Sequence, residues 1–319
     1  MGGRRALGIA IAVGCWLTSH VATADPPRGD DTQQAASPLP QVTIEAQREA
    51  LRQRIAHFVT TVTTQTSSYE SLARWHSKVC PGVTGLPQAQ SEFIRKRISN
   101  IAQAAGAALG GSDCKPNLFV MVTSEPTRLA KEIWSRNPTK FKDLSGLAAS
   151  PTELSRFTSD PHPVHVWYGG ELEGAMGNAL GKFSESGNTT RAPLVNRLPE
   201  NSRIRWDDVQ NIESVLIIVD VKRTVGLRIG ALADYVAMLG LAEVNFAANY
   251  SADESILGLF DAAGATQPVS QLSKWDAAFL KALYASDQAS KLQHTAIVNR
   301  MVSDPSVAPT AGNQTVPGP

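Results

Sequence analysis

Of 319 residues only three are cysteine, 6% are aromatic, and neither sign of charge dominates, with 30 Lys and Arg against 29 Asp and Glu. A balance so near zero gives no global reason to expect either nucleic acid or an anionic membrane as partner. No apolar run reaches the roughly 20 residues of a membrane span. The chain also lacks an internal repeat, a paired C-x-x-C, a G-x-S-x-G, a P-loop and a Rossmann glycine fingerprint, so the common zinc-ribbon, serine-hydrolase and nucleotide-binding chemistries have no local signature here.

What is present begins with an export pattern. Arg4 and Arg5 precede an apolar run, and Ala22-Thr23-Ala24 stands before Asp25, the three-part layout of a cleaved secretory signal peptide. The expected organisation is a signal peptide over 1–24, a Pro-rich disordered linker over 25–41, one folded domain over 42–302 and a disordered tail over 303–319. Cleavage would remove two arginines and leave a net charge of −1. Ala12-Val13-Gly14-Cys15 loosely resembles a bacterial lipobox, so lipid anchoring through Cys15 is a second route to the same envelope location, periplasmic or extracellular. Cys80 and Cys114 are the cysteines beyond that leader. In an oxidising compartment they are expected to pair, with two buried thiols as the alternative.

Periodicity sketches the domain. Val42–Ala46 reads as a short strand before a helix with Leu51, Ile55, Phe58 and Val62 on one face. A helix over 87–109 carries Phe93, Ile94, Ile98 and Ile101 and stops at Gly110-Gly111. Strands are expected at 117–123, at Val164–Tyr168 and, most strongly, in the run beginning Ser214-Val215-Leu216, with a helix over 127–136 between the first two. The weakly patterned stretch 169–206 reads as a long excursion with a hairpin in it. Helices alone follow the last strand. Strands and helices first, then helices only, define an α+β class with one mixed, twisted sheet and an all-helical C-terminal part.

One stretch raises a chemical question. Leu232–Glu243, "LADYVAMLGLAE", follows the strongest strand and ends its helical pattern at Gly240; a short turn containing "SIL" and then "LSKWDAAFLKALY" come after it. This order resembles the C-terminal half of the metzincin zinc metalloproteases, over about Ile212 to Tyr284. In that family the helix carries H-E-x-x-H-x-x-G-x-x-H, two imidazoles one turn apart aimed at one metal with a Glu to activate water. Aligned on Gly240, the resemblance puts Ala233 and Ala237 at the histidines, Asp234 at the base, Glu243 at the third ligand and Leu257 at the methionine of the later turn. Alanine has no lone pair, so the resemblance implies a degenerate zincin without zinc hydrolysis. The same helix read from its own residues is an ordinary core helix, with Leu232, Val236, Leu239 and Leu241 packing inward and Gly240 as its C-cap.

His162 and His165 form H-x-x-H, a spacing that points opposite ways on a strand. In the resembled family an edge strand holds substrate peptide, a position that would fall on Val164, His165, Trp167 and Tyr168 and would bind an extended segment by strand addition. If those aromatics are core instead, the edge is covered. The expected function is that of an exported, non-catalytic, pseudoprotease-like protein with a binding or structural role in the envelope. It would have no cofactor and a protein or peptide partner. The alternatives are a carboxylate-dependent hydrolase in a cleft near Asp234 and Glu243, and a lipid-anchored accessory subunit.

Overall fold

A computed structural model describes residues 40–63, 71–142, 144, 149–174, 181–182, 194–195, 208–246, 248–250, 255–261 and 270–307. The expected leader, Cys15 and most of the linker and tail lie outside these residues. The chain divides into Met1–Thr43 and Ile44–Pro319. Of the first unit the described part is the opening turn of helix α1, Pro40–Val62. Val42–Ala46 is therefore helical and not a strand. Its Val, Thr and Ile favour strands, but they adjoin a long run of helix formers, and extending a helix fixes one residue per added bond while a lone strand finds no partner.

The second unit follows a strand–helix order. Strands β1, Arg74–Trp75, and β2, Pro81–Thr84, precede helix α2, Gln88–Ala105; β3, Leu118–Thr123, leads to α3, Pro126–Arg136. After α4, Pro151–Ser159, come β4, Val164–Gly174, and a two-stranded antiparallel hairpin of β5, Gly181–Lys182, and β6, Leu194–Val195, inside the expected excursion. The long β7, Asp208–Asp220, enters α5, Ile229–Leu241, through a 3-10 turn at Val221–Thr224. A second 3-10 turn, Ile256–Phe260, and helices α6, Lys274–Ala285, and α7, Gln293–Ser303, complete the domain. The chain is thus α+β with a helical C-terminal part. α7 runs to Ser303, and the chain beyond it buries Val307.

β7 is the centre of a mixed five-stranded sheet. β1 and β3 pair with it in parallel along one side, β2 extends β3 in parallel, and β4 runs antiparallel along its other side with a bulge at Gly169/Gly170. Alternation sorts its side chains. Val215, Ile217 and Val219 face the main core with Leu118, Val120 and the buried stripe Ile94, Ile98 and Ile101 of α2. Ile218 faces a smaller cluster with Ala130, Phe141, Phe157 and Trp167, under α3 and α4.

α2 ends four residues before the expected Gly110, at Gly106, whose left-handed φ of 92° lets Ala107 donate back to Ala102. Phe93 is 46% exposed and does not join the buried stripe of α2. α4 is an element the pattern reading missed, although Ser150-Pro151-Thr152-Glu153 spells its start. The Ser150 hydroxyl accepts from Glu153 N, Glu153 accepts from Ser150 N, and Pro151 sits in the first turn. Cys80 and Cys114 form a disulfide across 34 positions and tie the start of β2 to the approach to β3. Gly110 is required beside it, because a Cβ there would lie 2.5 Å from the Cys114 sulfur.

Candidate functional site

α5 is apolar on every side, and every residue from Ala231 to Leu241 is buried. Such a helix belongs in the interior, and this one is wedged between α2, the sheet and α6. Gly240 allows the closest approach: a Cβ there would stand 2.6 Å from a methyl of Leu118 on β3. It lies within α5, whose C-cap is Ala242, so Gly240 serves close packing and not the expected cap. The α5 C-terminal carbonyls are closed by aromatic donors from three elements. Trp75 Nε1 donates to Gly240 O at 2.7 Å, Tyr284 OH to Leu241 O at 2.8 Å, and Tyr168 OH to Leu239 O and Ala242 O at 2.9 and 3.1 Å. Burial pushes the Tyr168 and Tyr284 hydroxyls above their ordinary range, so both remain donors at neutral pH.

Ala233 and Ala237 are fully buried, and Leu257 is buried in the 3-10 turn. Asp234, 1% exposed, takes a two-pronged ion pair from α2, with Arg97 Nε at 2.5 Å from Oδ1 and Nη2 at 3.0 Å from Oδ2. Its Oδ2 also accepts from Leu272 N at 2.7 Å, just before α6. Asp234 therefore joins three segments and does not open onto a cleft. Glu243 is half-buried near Tyr168. Arg97 was not legible as its partner, because nothing in a helix sequence says which distant acid an arginine will meet.

A second buried acid links the later elements. Asp276, fully buried in α6, accepts from Ser255 Oγ at 2.6 Å, Ile256 N at 2.8 Å and Ser273 N at 2.9 Å. It closes the capping box of its own helix and holds the Ile256–Phe260 turn against it.

The expected peptide-binding residues separate. On β4, Val164 and Trp167 are buried, and Trp167 packs between Phe141 and Phe157 with its indole N–H on Lys142 O at 3.0 Å. His165 is buried with Nδ1 2.6 Å from Phe157 O. Trp167 and Tyr168 thus serve the interior and do not line a groove, because alternation sends one into each core. The main-chain edge is another matter: among the described residues β4 pairs only with β7. Asp220 N donates to Pro163 O, and alternation from that pair turns the amides of Val164, Val166 and Tyr168 away from β7. Val164 N donates to His162 Nδ1 at 3.1 Å, which leaves Val166 and Tyr168 to define the edge.

His162 does not join His165. Its ring stands edge-on to Phe246 and Phe260, and burial pushes its pKa below the ordinary 6.5 despite the opposing pull of Val164 O, Asp160 and Asp261. A histidine kept neutral by folding contributes stability that is complete above pH 6.5 and lost as pH falls below it. We expect His162→Asn to lose less stability than the parent between about pH 7.5 and about pH 5.5 in urea titrations. An identical loss in both proteins would assign the effect elsewhere, with His294, also lowered by burial, the next candidate.

At the far end of β4 and β7, Glu171, Glu173 and Glu213 gather around the bulge. Burial and the two neighbouring acids raise the Glu213 pKa, and Asn211 donates to Glu173 at 2.8 Å. No three His, Cys, Asp or Glu side chains among the described residues are grouped to hold a metal. No protein-family model, curated protein or solved structure matches this chain.

Proposed function

We propose that this is an exported, non-catalytic protein of the cell envelope, laid out like a zincin whose reactive helix has become core, and that it works by binding. The observation that carries the reading is α5 itself. Where a metalloprotease helix would present two imidazoles, this one has buried alanines, and its only acid is held by Arg97 and Leu272 N. Support for the zincin layout comes from β4 running antiparallel at the sheet edge beside β7, the strand that enters α5, and from Asp276 fastening the turn after that helix. The Cys80–Cys114 disulfide fits an oxidising compartment, as does the leader-like pattern of the first residues. The outward amides of Val166 and Tyr168 offer an extended protein segment a strand to pair with.

The test is metal analysis of protein purified without chelator, with zinc add-back, beside a broad peptidase screen. The expected result is no stoichiometric zinc and no hydrolysis, in the parent and in Asp234→Asn alike. One tightly held zinc, or a hydrolysis that disappears in Asp234→Asn, would overturn the reading. The second result would instead favour a carboxylate hydrolase, which requires Asp234 to reach solvent.

A further inference from the structure

The turn that joins β7 to α5 is built unlike the rest of the surface. Val225 is 84% exposed, and Val221 and Ile229 are 37% exposed. Lys222, Arg223 and Arg228 are exposed between them, and Val221–Ile229 contains no acid. The preceding Asp220 accepts from Lys222 N, and Arg223 donates to Pro161 O; these contacts pin the turn while leaving its cations on the outside. Three cations within nine positions depart sharply from a chain that is nearly neutral overall.

We infer that this projecting turn docks the protein on an anionic lipid surface, with Val221, Val225 and Ile229 entering the headgroup boundary and Lys222, Arg223 and Arg228 meeting lipid phosphates. Shape and chemistry favour lipid over other partners. The turn is convex, since a Cβ on Gly226 or Gly230 would meet nothing within 4 Å, and a protruding tip suits a deformable plane better than the concave pocket of a folded partner. Its apolar groups are aliphatic and offer no ring for stacking on bases. It is mounted between the central strand and a helix buried from Ala231 onward, so little ordering is lost on docking. The N-terminal end of α5 adds a partial positive charge to the same tip. The inference is independent of whether the protein has catalytic activity.

The experiment is co-sedimentation of the protein, purified from the exported fraction, with vesicles of phosphatidylcholine alone or mixed with phosphatidylglycerol. We expect binding to the mixed vesicles only, weakening as salt shortens the screening length. Lys222→Gln with Arg228→Gln should reduce partitioning about 25-fold, at about fivefold per cation, and Val225→Ser about tenfold. Circular dichroism and the thermal midpoint should not change, because these side chains are exposed. Equal binding to neutral vesicles, binding to neither, or variants that partition like the parent would each overturn the inference. Binding of anionic protein surfaces without binding of vesicles would do the same.

Discussion

Arg97→Met is expected to destabilise the fold by about 3 kcal/mol, the lower end of the range for breaking a buried ion pair from one side. The reason is the asymmetry of the pair: the Asp234 side chain is 2% exposed while that of Arg97 is 42% exposed. Removing the arginine leaves a carboxylate in the core with Leu272 N as its remaining partner. The compensating variant separates lost charge pairing from lost packing. In Arg97→Met with Asp234→Asn no charge is left inside, and an Asn carbonyl can still accept from Leu272 N. The double variant should therefore be more stable than Arg97→Met alone, a coupling read from urea midpoints at constant slope. Additive losses, or a single-variant cost below about 1 kcal/mol, would show that the pair contributes little beyond a surface bridge.

A comparable loss is expected for Asp276→Ala. The substitution strands the Ser255 hydroxyl and the Ile256 amide in a fully buried region, and each orphaned donor costs about 1–3 kcal/mol. The α6 capping box loses its acid as well. Against this stands the relief of no longer burying a carboxyl, whose pKa burial raises. The net expectation is about 3 kcal/mol. Asp276→Asn keeps an acceptor of the same shape and should cost clearly less. The second readout is local: hydrogen exchange at Ile256 and Leu257 should accelerate beyond what global destabilisation produces. Uniform acceleration across the domain would mean that Asp276 stabilises α6 without fastening the turn.

Both acids mark the boundary between what was legible and what was not. Asp276 stands three residues after Ser273, a capping box that any reader of helix signals can find, and α6 begins there. That the same carboxylate reaches back to Ser255 and Ile256 depends on where the chain returns after α5, which no local pattern encodes. Asp234 carries even less local information. Its place in an apolar helix resembles a catalytic acid in a metal motif, and only the position of α2 reveals that an arginine occupies it. Val42–Ala46 shows the opposite difficulty: local strand preference was present and lost to the helix that follows.

The amino-acid sequence by itself determined the class of the protein. Period-two and period-3.6 apolar patterns placed β3, β4, β7, α2, α3, α5 and α6, because the number of faces an element must bury is written in its own side chains. Two cysteines with an export-like leader pointed to the disulfide between them. Tertiary structure alone decided the rest. It sent Trp167 and Tyr168 into two different cores, set three aromatic donors on the end of α5, paired Arg97 with Asp234, and left Val225 projecting between cations. Each of these depends on which distant surfaces meet, and burial and charge pairing are properties of that meeting.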